Sequence, residues 1–573
     1  MTSITRQRVG KYTYLNESVS FWDPVKKRPD NHKTRIGKID YVSGEPVYLQ
    51  AYLDKLAQAG HCIEGMRLWD KSKEVRVLLD GDLKSTGEVV FAVLDSVRDF
   101  GTVYFLRALS EKIGLLRILR EALPDVWEKV FCLACYLVVS DKPVMYCADW
   151  VESVAVDNVG SMSSQRISEL LVAFGYKQRN GFYRSWYDFI RENEYIALDT
   201  TSVSSHSTGI SEVEWGYNRD GENLAQVNIC MLFGEDSRLP VYQTIYSGSL
   251  RDVSTLRSTL SEFSALTGAD DIMTVMDKGF FSAKNLKMLL SEDGSRPASR
   301  FLLSVPFTNN FARSQVESER KDIDSLGNVI LTSAAPIRGI HKLRSWSEGV
   351  KLNTHVFYNP EKAVRERNEL FGYVTNLAQQ ATADPFNKKL KAEYQKYLIV
   401  RKSRKADNGI TVSIREEVVQ KELQTAGWFV LISNHVENAQ RAYDIYRMKD
   451  VVEKAFKKYK NNLGLDRLRV HSDDRMQNKV FVAFIALIIR AAIHETMRQQ
   501  KMFKRMTLNQ LILAIAKLKV ATVNGKTFLR PAAKELKTIF EVFGISLPDL
   551  NTLKHPLSVP KKRGRKPKVT NVS

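Results

Sequence analysis

Residues 195–199 read Tyr-Ile-Ala-Leu-Asp, an apolar run that stops at a carboxylate and passes into small polar residues. Such a run predicts a strand buried on both faces, with Asp199 at its end. Outward from it, Ala225–Phe233 and Val241–Tyr246 predict two more strands, joined through the turn-rich segment GEDSRLP. Asp252 caps a helical run, DVSTLRSTLSEF, and Asp271–Met276 (DIMTVM) predicts a fourth strand ending at Asp277. A helix around Ala283–Leu290 and a strand at Phe301–Val305 follow.

Three strands, a helix, a strand, a helix and a strand are the order of a mixed α/β sheet of the ribonuclease-H type. In such a sheet the first and fourth strands end side by side, which brings Asp199 and Asp277 together. Either aspartate alone reads as a turn or cap residue. Two, each following an apolar strand, repel one another unless a cation lies between them, so the pair points to a divalent metal with oxygen ligands.

Residues 308–426 interrupt this core. They mix strand-like pieces (Val329–Thr332, Asn353–Tyr358, Ile410–Ile414) with polar helical ones (Glu361–Glu369, Asn387–Tyr397), as a β-rich insertion domain would rather than a structureless loop. The core, taken as 191–307 and 427–495, resumes with an apolar strand, Trp428–Ile432 (WFVLI), and then YDIYRMKDVVEKAFKKYK at 443–460. At about 100° per residue, Tyr446, Lys449, Glu453, Lys457 and Lys460 share an arc of roughly 80°. Ile445, Met448, Val452, Ala455, Phe456 and Tyr459 form a separate apolar arc that can enter a core. Taken alone, the polar face reads first as a solvated face with an ordinary surface pair between Lys449 and Glu453. Ser472 is placed to cap a helix over Asp474–Arg490, and 496–550 predict further amphipathic helices.

Residues 1–60 alternate polar with aromatic or β-branched residues, a strand-rich arm carrying Lys26, Lys27, Arg28, Lys33 and Arg35. Residues 61–190 turn helical, as in LRALSEKIGLLRILREAL, and are a candidate DNA-binding domain. A formal charge of +20 with a 44% hydrophobic content describes a globular chain with an anionic partner such as nucleic acid. The opening MTSITRQRVGKYTY lacks a signal peptide's apolar stretch, and the apolar run Val480–Ile489 is too short to span a bilayer. Five cysteines fit a reducing compartment; Cys132 and Cys135 have CxxC spacing but lie in an apolar run without a second pair. These features predict a soluble, cytoplasmic protein with no membrane partner. The basic tail 551–573 contains PKKRGRKPK, which has little to pack and is expected to be disordered alone. Arg563 and Arg565 in Arg-Gly-Arg-Lys-Pro resemble an AT-hook for the minor groove of A·T-rich DNA, a nonspecific basic tail being the other reading.

Four of these motifs, in this order, resemble the DDE-type transposases of bacterial insertion sequences, in particular the group with a Tyr-Arg-Glu-Lys signature and a β-rich insertion in a ribonuclease-H-like core. Tyr446, Glu453 and Lys460 meet the signature spacing, with Lys449 where arginine is usual; lysine keeps the charge but loses the bidentate fork. Asp277-Lys278-Gly279-Phe280-Phe281-Ser282, followed by Asn285-Leu286, resembles the family's second-aspartate motif. Gly248 and Asp252 in SGSLRDVSTL resemble its Gly-Asn-x-x-Asp segment, with Ser249 replacing asparagine, and Asp199 after YIAL resembles the first aspartate.

The resemblance implies Asp199, Asp277 and Glu453 as catalytic ligands of two Mg²⁺ ions, with Mn²⁺ able to substitute. It further implies Tyr446, Lys449, Lys457 and Lys460 at DNA phosphates, and double-stranded DNA (element ends and target) bound by a homodimer associated with the nucleoid. Members that form DNA hairpins hold a flipped base on an aromatic residue, for which Trp346 and Trp428 are candidates. A noncatalytic DNA-binding descendant and another ribonuclease-H-fold nuclease are the competing readings. No histidine lies in a recognisable motif, and HExxH and P-loop patterns are absent from the sequence.

Overall fold

The computed structural model describes residues 2–548 apart from 10–11, 25, 40–44, 70–93, 157–158, 193–194, 220, 270–272, 292–298, 333–334, 348, 403–409, 448, 450–451, 453–455, 457–459, 461–463, 466 and 524–525. The chain separates into two compact units, Met1–Arg98 with Lys519–Arg530, and Asp99–Leu518 with Pro531–Ser573.

In the first unit, β1 (Thr2–Val9), β2 (Tyr12–Asp23), β3 (Arg28–Ile39), β4 (Pro46–Tyr48) and β5 (Arg67–Leu68) form one sheet in that order. The helix α1 (Gln50–Gln58) closes a small core in which Leu15, Ile36 and Tyr52 are buried. A strand at Leu94–Asp99 (β6) belongs to a separate three-stranded sheet with two strands late in the chain.

The second unit begins with helices. These are α2 (Gly101–Lys112), α3 (Leu115–Ala122), α4 (Trp127–Val139), α5 (Cys147–Ser153), α6 (Ser164–Leu170) and α7 (Tyr176–Ile190). Cys132 and Cys135 are free and buried in α4, where burial pushes the Cys132 thiol well above its ordinary range, so both pack as small apolar residues.

A nine-stranded sheet follows. Its first part comprises β7 (Tyr195–Ser204), β8 (Gln226–Gly234), β9 (Pro240–Ser247), α8 (Asp252–Thr267), β10 (Met273–Met276), α9 (Ala283–Leu289) and β11 (Phe301–Val305). The strands lie in the order β9-β8-β7-β10-β11, with β7–β8 and β8–β9 antiparallel and β10 parallel to both β7 and β11. β7 runs well beyond Asp199. Its second half pairs with β8, and at Ser204 also bridges Arg467, but does not pair with β10, which stops at Met276. In that half Thr200, Thr201, Ser202 and Ser204 are small and polar yet buried, and Ser202 reaches Asn228 across the sheet.

Residues 308–426 contribute to two places. After α10 (Asn310–Glu319), the strands β12 (Val329–Ile330), β13 (Ile337–Ser347) and β14 (Val350–Tyr358) extend the same sheet. Next come α11 (Pro360–Ala383), α12 (Lys391–Tyr397), β15 (Leu398–Lys402), β16 (Ile410–Ile414) and α13 (Glu416–Leu423), packed about a separate apolar cluster that includes Val374, Leu377, Tyr394 and Tyr397. β17 (Trp428–Ser433) then enters between β14 and β11, antiparallel to both, so that strands from the two sides of residues 308–426 share one hydrogen-bonded sheet.

Asn438 caps α14 (Ala439–Tyr446) by accepting from the Arg441 amide, and the helix loosens to a turn at Arg447. Lys449, Val452, Phe456 and Lys460 are again helical. Val452 and Phe456, two members of the apolar arc, are buried as the periodicity predicts.

The later helix α15 (Asp473–Gln499) is long and apolar enough to cross a membrane, but 78% of its apolar window is buried, against α4 and β9 among others. Its polar side chains are tied into that core: Lys479 donates to the Leu468 carbonyl at 2.6 Å and Arg490 to the Val138 carbonyl at 2.6 Å. Helices α16 (Leu508–Ile515) and α17 (Lys534–Phe543) flank the strands β18 (Lys519–Val523) and β19 (Lys526–Leu529) in sequence.

Candidate active site

The register of two parallel strands builds the site. Leu198 of β7 pairs with Met276, the last residue of β10; Asp199 follows within β7 and Asp277 follows just past the end of β10. Adjacent strands run about 4.8 Å apart, so two carboxylates are held side by side where the strands part. The apolar residues before them anchor the position, since Leu198, Val275 and Met276 are fully buried. Asp277 also ends its strand as an N-cap, its Oδ1 accepting from the Lys278 amide at 2.6 Å. Just beyond, Phe280 is completely buried and fixes the turn. Asp199 Oδ1 accepts from the Thr200 amide at 2.8 Å.

Two side chains from the helical segment reach Asp277. Lys449 Nζ lies 2.8 Å from its Oδ2, and the Tyr446 hydroxyl donates to its Oδ1 at 3.3 Å. Lys449 is 8% exposed, so the cation read from sequence as a solvent-facing contact is a buried partner of the second aspartate.

The two aspartates respond oppositely to this surrounding. Burial pushes the Asp199 carboxyl up to about 6, against the pull of Lys449, the Thr200 amide and Arg219, and Asp277 adds to the rise. Burial would also raise Asp277, but the charge and hydrogen bond of Lys449, with the Lys278 amide, outweigh it and hold that carboxyl below its ordinary value. Lys449 titrates above the usual lysine range, because Asp277, Tyr446 and Asp199 overcome its burial. Burial and Asp277 raise Tyr446, which stays a protonated donor.

A wider shell surrounds the pair. Asp252, at the first turn of α8, forms an ion pair with Arg219. A side chain at Gly279 would meet Asp252 Oδ2 at 2.9 Å, so this glycine lets the Asp277 turn lie against Asp252. Ser304 of β11 also hydrogen-bonds Tyr446. Sequence reasoning missed Arg219 and Ser304; Arg219 sits in a turn-rich stretch, and nothing in the pattern of β11 marks Ser304 as facing a site.

Asp277, Tyr446 and Lys449 open on a groove of about 1810 Å³. Lys278, Arg313, Arg320, Lys362, Lys421 and Arg447 line it together with several glutamates, so it runs from the strand ends to the inserted helices. Trp428 lies along it, 5% exposed and beneath Arg320 at 5.4 Å. Trp346 packs edge-on to Phe281 and Phe311. Lys460 acts electrostatically on Glu222, whose carboxylate pairs with Arg467 at 2.6 and 2.9 Å. Glu453, Lys457, Arg563 and Arg565 lie outside the described residues.

Among the described residues no three His, Cys, Asp or Glu side chains form a metal-holding group. The donors of Asp199 and Asp277 nevertheless suit a hard divalent cation. Both are carboxylates beside the point where β7 and β10 stop pairing, Asp199 within β7 and not at its end as the sequence predicts, and Asp277 already carries a compensating ammonium.

No curated protein matches the chain. Among solved structures, a piggyBac transposase synaptic complex with hairpin DNA is similar at 11% identity and a TM-score of 0.36, over 72% of this chain and 76% of that one, a likeness too low to carry weight here. Residues 191–489, just over half of the 573, match the family described as Transposase DDE domain, and Asp199 and Asp277 both lie inside that match. The chain belongs to the transposase DDE domain family.

Proposed function

We propose that this protein is an insertion-sequence transposase that cuts DNA at the element's ends and joins the freed 3′ hydroxyls to target DNA. The observation that carries the reading is that Asp199 and Asp277 each directly follow the last register pair of two neighbouring parallel strands, Leu198 with Met276, inside a transposase DDE domain. The strand order β9-β8-β7-β10-β11, two antiparallel steps and two parallel ones, supports a ribonuclease-H-like core over 191–307 and 427–495, with 308–426 as its insertion. The spacing of Tyr446, Lys449, Glu453 and Lys460 supports the Tyr-Arg-Glu-Lys group and makes Glu453 the third acid.

Asp199, Asp277 and Glu453 would hold two Mg²⁺ ions, or Mn²⁺ in their place. When bound, these would supply Lewis-acid activation of the attacking oxygen and neutralise charge on the leaving one. The chain's own groups do the rest. Lys449 and Tyr446 fix the orientation of the Asp277 carboxylate through two donors, so that it meets its ligand in one geometry. Both donors face the groove, where the phosphate of an entering strand can share them. Cleavage and joining are in-line displacements at phosphorus by water or a 3′ hydroxyl, so no side-chain nucleophile is required.

Two element ends must be processed together, which calls for two copies of the chain on DNA, in the cytoplasm at the nucleoid. Asp277→Asn tests the reading: strand cleavage at element ends in Mg²⁺ is abolished while duplex binding persists. Cleavage at the wild-type rate by this variant contradicts it.

A further inference from the structure

The sheet of the first unit has two unlike faces. Paired residues of antiparallel strands share a face, so the register sorts them. Leu15, Ile36 and Glu17 face α1; the first two are buried against Tyr52, and Glu17 pairs with Lys55 at 2.6 Å. The other face carries Thr5, Gln7, Asn31, Lys33, Arg35 and Lys38, through the pairs Thr5–Asn16, Gln7–Tyr14, Ser20–Asn31, Ser18–Lys33, Asn16–Arg35 and Tyr14–Lys38. Among the described residues of β1–β3, no carboxylate lies on that face, whereas Glu17 and Asp30 both lie on the α1 side. Arg35 stacks over Tyr14 at 3.9 Å, and Asn16 donates to Gln7 at 3.2 Å, so the cations and amides stand on a braced platform.

The shape is as specific as the charge. Among the described residues β1 pairs with β2 only as far as Thr2 with Val19, while Ser20–Asp23 and Arg28–Asn31 pair with each other as a two-stranded ribbon. Lys26 and Lys27 lie at its tip, and Trp22 beside it is 62% exposed. A two-stranded ribbon fits the roughly 12 Å major groove of B-form DNA, whereas the narrow major groove of duplex RNA excludes it.

We propose that this β2–β3 face docks in the major groove of duplex DNA. Lys33 and Arg35 would contact phosphates or guanine edges, and Asn31 and Gln7 would offer amides to base edges. The inference rests on the transposase reading only for the class of its ligand, and it assigns DNA recognition to the strand-rich unit.

The test uses the full chain and a fluorescent mixed-sequence duplex of about 30 base pairs, with binding followed by anisotropy over roughly 50 to 200 mM salt. Lys33→Gln with Arg35→Gln is compared with Arg6→Gln with Arg8→Gln, an equal charge change at exposed residues on the opposite face. The first pair is expected to weaken binding about tenfold or more and to lower the salt slope by about 2, while the second stays within about twofold of wild type. Methylating guanine N7, in the major groove, should weaken wild-type binding, and duplex RNA should bind less than DNA. Equal behaviour of the two pairs, indifference to N7 methylation, or equal binding of RNA would overturn the proposal. Circular dichroism confirms that both variants are folded. Failure of the transposase reading shows separately, as unchanged cleavage by Asp277→Asn.

Discussion

Lys449 Nζ stands 2.8 Å from Asp277 Oδ2, and the hydroxyl of Tyr446, one helical turn earlier, stands 3.3 Å from the other oxygen of the same carboxylate. One carboxylate thus has a buried cation and a neutral donor, while its neighbour Asp199 has to share that cation's field. The site is polarised before any ligand arrives.

Removing Lys449 leaves two crowded acids without their compensating charge. Lys449→Met is expected to lower the stability of the metal-free protein by about 2 kcal/mol, somewhat less than for a fully buried pair because Asp277 is 27% exposed. Thermal unfolding with and without Mg²⁺ checks this. The cation should raise the melting temperature more in Lys449→Met than in wild type, and a smaller rise would count against a shared cation site.

The opposite shifts of the two aspartates give opposite signs of linkage. For Asp199 the folded value, about 6, lies above the ordinary 3.8, so the stability it contributes is full below about 3.8 and is lost as pH rises through about 6. Asp199→Asn should therefore stabilise the metal-free protein at pH 8, by on the order of 1 kcal/mol, with the gain shrinking toward pH 4. For Asp277 the folded value is depressed, so its contribution is present above 3.8 and is lost as pH falls through its lower folded value. Asp277→Asn should then destabilise at pH 8. Denaturant melts of both variants across this range test the pair, and the same sign for both would refute the assignment.

Phe280 carries no polar function, yet it sits three residues after Asp277 and is fully buried. Phe280→Ala should cost about 3–5 kcal/mol and release the turn that aims the carboxylate, whereas Phe280→Leu should cost less. Urea melts give the stability change, and a disproportionate loss of cleavage in the leucine variant would report the positioning.

The parts of the fold that follow from apolar runs were legible. Phe301–Val305 forms the strand its composition predicts, and Trp428–Ser433 differs from the expected strand by one residue. The strand at 195 was read too short, because Thr200, Thr201, Ser202 and Ser204 are polar and small; they are buried through cross-strand partners that composition does not reveal. β13 (IRGIHKLRSWS) was missed because its basic residues break up the apolar pattern of a strand. Asp199 and Asp277 could be named as candidates because each follows an apolar run. That Lys449 turns inward to Asp277, and that Arg219 meets Asp252, depends on contacts between distant segments, which helical periodicity cannot show.

The central claim, that Asp277 is a catalytic metal ligand, is tested most directly by Asp277→Cys, assayed for strand cleavage at element ends in Mg²⁺ and in Mn²⁺. A thiolate is a poor ligand for Mg²⁺ and a better one for the softer Mn²⁺. The account predicts no cleavage in Mg²⁺ and partial recovery in Mn²⁺, with duplex binding unchanged. Cleavage at the wild-type rate in Mg²⁺ would contradict it.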